Sequence, residues 1–192
     1  MNEFTDRQKQ IIQASLELIA QSGIHGLTIK NISKKVGITE PAIYRHFENK
    51  NEILLGIIST IKQNTGVDKF GQATEKFTAC EIIRKVFTMH AQQFTENPSL
   101  AAVIFSEELF DNNSDLSATI RTIMDESQIK FINIILNGQA DGEIIDHIDA
   151  EQLALMIMGA FRLLVTKWHM SNNSFDLQKK TANLLNALEK LI

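Results

Sequence analysis

Tyr44, Arg45, His46 and Lys50 can all donate hydrogen bonds to phosphate oxygens, and they follow a carboxylate, Glu40, and two small apolar residues, Pro41 and Ala42. That mixture suits double-stranded DNA. Small apolar groups can touch a thymine methyl, a glutamate can accept from a cytosine amino group, and longer donors further along can hold the backbone. Within residues 28–50 five basic side chains (Lys30, Lys34, Lys35, Arg45 and Lys50) face two acids, Glu40 and Glu48, a local net charge of +3 in a chain whose net charge is −4. Such an acidic chain is a poor nonspecific coat for nucleic acid, yet a one-faced positive patch is enough for a dedicated reader.

Those side chains need short helices to aim them. Thr28 precedes Ile29, Ile32 and Val36 at helical spacing, so its hydroxyl can accept from an unpaired first-turn amide and start a helix. Lys34 and Lys35 suit the negative end of that helix, and Gly37 can take the left-handed conformation that stops it. Thr39 is expected to cap a second helix, in whose first turn Pro41 costs no hydrogen bond. Ile43 and Phe47, four apart, face inward and turn Glu40, Tyr44 and Arg45 outward. Lys50 lies near the start of a further helix, whose N-terminal amides add to anion binding. Two helices about a glycine could equally form an ordinary hairpin, and Tyr44 alone could be a half-buried aromatic; only the set as a whole argues for a groove.

The sequence Gly37-Ile38-Thr39, then Ile43-Tyr44, His46-Phe47 and Lys50, resembles the TetR family of one-component transcriptional repressors over about the first 62 residues. The resemblance implies a dimer that places two such modules in successive major grooves. It carries DNA contacts onto Thr28, Lys30, Thr39, Glu40, Pro41, Ala42, Tyr44, Arg45, His46 and Lys50. Lys30, Glu40 and Pro41 would read bases, whereas Thr28, Tyr44 and Lys50 would clamp phosphates; His46 could equally pack against Phe47 and the first helix.

The remainder reads as helix. Two prolines, nine glycines and no alternating strand pattern predict an all-α chain of about nine helices, and 44% apolar residues support a core. The expected organisation is a helix-turn-helix DNA-binding domain over residues 1–49, a connecting helix and linker over 50–76, and a helical regulatory and dimerisation domain over 77–192. Thr5-x-x-Gln8 and Thr78-x-x-Glu81 are capping boxes, and Asp149 and Asp176 are further helix starts. Ile53, Leu54, Ile57, Ile58 and Ile61 mark a helix from Lys50. Residues 66–76 look like a linker, a short helix is expected over 100–110, and a long one is expected to close at Asn137-Gly138. The last two helices carry apolar stripes including Met156, Ala160, Leu164, Trp168, Leu184 and Leu188, which fit a four-helix interface between two copies, or burial inside one.

A small-molecule pocket is suggested by Phe87, Phe94, Phe105, Met124, Phe131, Met156 and Phe161, with His90, Arg121 and Gln128 to orient a ligand. In the family this region binds a small molecule that releases DNA. The rival is a helical dimer of the same fold that binds DNA or protein without an inducer; a deep apolar cavity would favour the sensor and a filled core the rival. No cofactor or metal is expected. The five histidines form no HExxH pattern, the single Cys80 has no partner for a disulfide or zinc set, and no phosphate loop or nucleophile motif occurs. The polar opening residues and a longest apolar run of nine residues, 153–161, lead to an expected cytoplasmic location, with no membrane partner.

Overall fold

Nine α-helices make up the computed structural model over its described residues, 4–65, 77–105 and 114–191, with no strand among them. They are α1 (Asp6–Ser22), α2 (Ile29–Val36), α3 (Glu40–Tyr44), α4 (Lys50–Thr65), α5 (Ala79–Glu96), α6 (Ser99–Ile104), α7 (Ser114–Ala140), α8 (Ala150–Met170) and α9 (Leu177–Leu188). The short helix expected over 100–110 instead runs Ser99–Ile104 and is already capped at Phe105, while the expected linker at 66–76, residues 106–110 and the side chain of Ile61 lie outside the described residues.

The chain divides into two compact units. The first comprises Met1–Thr60 and Asn97–Ser117, so α6 belongs with the N-terminal helices and packs on α1. Sequence order alone assigns those residues to the 77–192 region, because a return contact leaves no local mark. Apolar periodicity builds this unit's core: Ile11, Ile12, Leu16 and Ile19 of α1 are buried with Ile32, Ile43, Phe47, Ile53, Leu54 and Ile57. Gly56 lets α4 come close, since a Cβ there would sit 3.1 Å from Ile12 Cδ1.

The second unit comprises Ile61–Glu96 and Ala118–Ile192. Its helix starts are fixed by side-chain oxygens. Thr78 Oγ1 accepts from Glu81 N at 3.1 Å while Thr78 N donates to Glu81 Oε2 at 2.9 Å, and Glu143 Oε2 reaches across the sequence to accept from Ala79 N at 2.7 Å. Asp149 accepts from Glu151 N and Gln152 N, and Asp176 from Lys179 N. The acidic loop between α7 and α8 therefore does structural work at the ends of α5 and α8, and Gln139 Nε2 ties it down by donating to the carbonyls of Ile145 and Ile148. Arg84 joins α5 to α9 through Glu189 and Asn186 at 2.8 Å each. α8 is long and apolar enough to cross a bilayer by length and composition, but Leu153, Ile157, Phe161, Val165 and Trp168 bury one face within this unit.

The expected helix stop at Asn137-Gly138 is wrong. α7 runs on to Ala140, and the chain turns at Gly142, with φ of +72°. Gly138 serves a close approach instead: a Cβ there would lie 2.6 Å from Ala79 Cβ and 2.9 Å from Ile144 Cδ1. Gly138→Ala is expected to destabilise the chain by about 1–3 kcal/mol through overpacking, despite alanine's better helix propensity. Urea melts should show Ala79→Gly recovering part of that loss in the double variant.

Candidate nucleic-acid interface

α2 begins where Thr28 Oγ1 accepts from Asn31 N at 3.1 Å, and Asn31 Nδ2 in turn donates to Gly26 O at 2.9 Å. Gly37 ends the helix at φ 76°, ψ 33°, with its own N–H and that of Ile38 both donating to Ser33 O. A residue bearing a Cβ would be strained in that conformation. The turn delivers Thr39 to the N-cap position of α3 with Pro41 in the first turn. Thr39 makes no side-chain capping bond, contrary to expectation, so its exposed hydroxyl is left for another acceptor or donor.

α3 is only five residues long, and its rotation is set by burial. Ile43 is fully buried and Phe47 nearly so, which leaves Glu40, Pro41 and Arg45 exposed and Tyr44 50% exposed. Ala42 and His46 are half-buried. Asn49 Oδ1 accepts from Glu52 N at 3.0 Å, and the Glu52 carboxylate accepts from Glu48 N just ahead of that cap; the two bonds fix the start of α4 and leave Lys50 exposed in its first turn. Lys30 is exposed in the first turn of α2.

Not every basic residue counted in the sequence is equally available. Lys35 Nζ sits 2.9 Å from Glu17 Oε2 of α1, and its hydrogen bond holds the Glu17 carboxyl below the usual range. One positive charge of the patch is thus already neutralised. Sequence reasoning also missed a bond to the far side of the reader: Gln8 Nε2 donates to His46 O at 3.2 Å. Only the Thr5–Gln8 capping role of that glutamine carries a local signal.

The residues expected at a ligand pocket divide. Phe87 packs edge-on to Phe131 at 5.5 Å and tilted on Phe161 at 4.8 Å, with His90 6.4 Å from Phe161 and Phe94 buried on the same helix as Phe87. Burial pushes the His90 imidazole down to about 4, so it is neutral near pH 7. Gln128 is half-buried, Arg121, Met124 and Met156 are exposed, and Phe105 falls in the first compact unit. Phe131 and Phe161 thus both rest on the ring of Phe87. A pocket of about 300 Å³ lies instead at the start of α5, where Phe77, Ile82 and Ile134 share its lining with Glu81, Asp141 and Glu143. No group of three potential metal ligands occurs among the described residues.

The expected interface stripe also shifts. Trp168 is 3% exposed and packs inside its own chain, because its position continues the inward row of Phe161 and Val165. Ala160, Leu164, Leu184 and Leu188 are half-buried and Met156 is exposed, while Leu155 at 59%, Leu163 at 61% and Met170 at 78% are further open apolar side chains of α8.

Comparison with known proteins gives two family matches that together span residues 11–190. Residues 11–57 match bacterial regulatory proteins of the tetR family, and residues 57–190 match the C-terminal region of YsiA-like protein. The fatty acid metabolism regulator protein of Bacillus subtilis (strain 168) is 29% identical over 191 residues, covering 98% of this chain and 96% of the relative. The crystal structure of the transcriptional regulator FadR from Bacillus subtilis in complex with stearoyl-CoA aligns with a TM-score of 0.80 at 28% identity, covering 96% and 98% of the two chains. The fatty acid degradation regulator FadR from Bacillus halodurans aligns with a TM-score of 0.83 at 25% identity over 98% and 97%.

Two outcomes follow from this geometry. Lys50→Ala should weaken binding to all duplexes alike and lower the salt slope of log affinity by about 0.9 per phosphate contact removed, whereas Lys30→Ala should cost roughly 1–3 kcal/mol and relax base preference; binding isotherms on matched and mismatched duplexes distinguish the two. For His90, whose folded value lies below the ordinary 6.5, the contribution to stability is complete above pH 6.5 and is lost as pH falls through 6.5 toward 4. The loss is about 3 kcal/mol at most, and thermal melts across that window should be flatter for His90→Leu than for the parent.

Proposed function

Since the chain belongs to the TetR family of bacterial regulatory proteins and is a sequence-specific DNA-binding transcription regulator, we propose that it represses by gripping a near-palindromic operator as a dimer and lets go when a long-chain fatty acyl-CoA binds its second unit. The observation that carries the DNA half is α3 itself, pinned by Ile43 with Tyr44 turned outward. Glu40, Pro41, Ala42 and, from α2, Lys30 are assigned to base edges. Thr28, Thr39, Tyr44, Arg45, His46 and Lys50 are assigned to the backbone. The Thr28 hydroxyl already accepts from Asn31 N, and it can still donate to a phosphate.

A helix of five residues is about 7.5 Å long and reads only a few base pairs, so one copy cannot specify an operator. Two copies are proposed to meet on the open face of α8 and α9, through Leu155, Met156, Ala160, Leu163 and Leu164 with Leu184 and Leu188. Trp168 is left out, being spent on its own core.

The acyl-CoA assignment rests on likeness to the Bacillus subtilis regulator across nearly the whole chain, together with a ring cluster of suitable chemistry. An acyl chain entering there would part Phe87, Phe131 and Phe161, which are already in contact, and so would bind one arrangement of the unit better than the other. Only such a difference in affinity can shift a DNA-binding equilibrium. We assign the protein no reaction and place its action in the cytoplasm.

Titrating stearoyl-CoA into a complex of the protein with a duplex it has enriched from a randomised pool tests this reading. Fluorescence anisotropy should report release of the DNA, and coenzyme A without a chain should leave the complex intact. An unmoved complex, with no rise in the protein's melting temperature, would favour the rival regulator that senses no ligand, for which a packed ring cluster is the natural core.

A further inference from the structure

Gln8 does two jobs with one side chain. Its Oε1 accepts from Thr5 N at 3.0 Å and completes the capping box of α1. Its Nε2 donates at 3.2 Å to the carbonyl of His46, thirty-eight residues further along the chain, in a part-buried bond. A glutamate would serve the capping box as well, and its charge would suit the positive end of α1 better. What glutamate lacks is a donor: it would set a carboxylate against the His46 carbonyl oxygen. The amide is the one chemical reason to prefer glutamine here, and the amide is spent on the turn after α3.

That turn carries the backbone-facing part of the reader. Beyond Tyr44 the chain keeps one more set of local bonds, from His46 N and Phe47 N to Ile43 O, before the Asn49–Glu52 cap begins α4. Arg45 and Lys50 lie on either side of the His46 carbonyl in sequence, both with exposed side chains. Phe47 anchors the turn through its buried ring, and Gln8 anchors the peptide just before it. We propose that Gln8 is a positioning residue for DNA reading, which fixes the peptide of His46 from α1 and thereby presents Arg45 and Lys50 to phosphates in a ready geometry. It acts through the backbone of the turn. The inference rests on the assignment of Arg45 and Lys50 as phosphate contacts.

Three full-length variants separate the two jobs. Thr5→Ala removes the capping hydroxyl and keeps the tie, Gln8→Glu keeps the cap and removes the donor, and Gln8→Met removes both without adding charge. Amide hydrogen exchange at residues 45–49 should quicken several-fold in both Gln8 variants and stay at the parent rate in Thr5→Ala. On the duplex enriched by the unaltered protein from a randomised pool, Gln8→Met should bind about tenfold more weakly, the size of one neutral hydrogen bond. Its salt slope and base preference should be unchanged, because the same contacts form from a looser turn, and Thr5→Ala should bind within about twofold of the parent. If Gln8→Met matched Thr5→Ala in both exchange and affinity, the inference would be overturned; faster exchange with undiminished affinity would overturn it as well. If the unaltered protein enriched no duplex, the assignment of α3 as a reader would fall, and that failure is visible before any variant is compared.

Discussion

Everything the reader does depends on the burial of Ile43. A helix of five residues has no stability of its own, because forming a first turn costs more conformational entropy than its few hydrogen bonds return. α3 exists because Ile43 and Phe47 leave water together with Ile32 and the apolar face of α1. Full burial of a side chain of that size stabilises by roughly 1.5–3 kcal/mol. Since a helix has one rotation about its axis, the same burial decides which residues remain outside. Tyr44 is exposed because Ile43 is not.

Around that anchor, polar bonds set direction rather than strength. Gly37 in its left-handed conformation sets the angle at which α3 leaves α2, and the Asn49–Glu52 cap sets where α4 begins. Gln8 and the Lys35–Glu17 pair tie both reading elements to α1. The ion pair is partly exposed and is worth little as stability. Its consequence is electrostatic, since it withdraws Lys35 from the positive patch. The face offered to DNA is therefore narrower than the charge count implies.

The second unit is organised by different means. α5 takes capping oxygens from two places far apart in sequence, Glu81 and Glu143, and Arg84 joins it to α9. At its middle, Phe87 gathers Phe131 and Phe161 with a neutral His90 beside them. Closely packed rings change arrangement in discrete steps, because a dense core does not deform continuously. A unit built that way is suited to two states, and a ligand preferring one of them is what ligand-released repression requires.

Local patterns in the sequence were enough to determine where most helices start and how α3 is turned. Apolar spacing, the boxes at Thr5–Gln8 and Thr78–Glu81, and the caps at Thr28, Asp149 and Asp176 are read within a few residues, and the structure keeps each of them. So is the outward turn of Tyr44 and Arg45, which follows from Ile43 and Phe47 being four apart. What only the tertiary structure decided depends on neighbours distant in the chain. Gly138 looks like a stop until Ala79 is brought against it, Trp168 looks like an interface until its own core covers it, and Thr39 stands at a cap without making the bond. Gln8 has the same local signature whether or not a carbonyl lies within reach of its amide. A periodic pattern specifies which face of a helix is apolar, but burial, close approach and long-range hydrogen bonds are properties of pairs, and the pairs are made only when the chain folds.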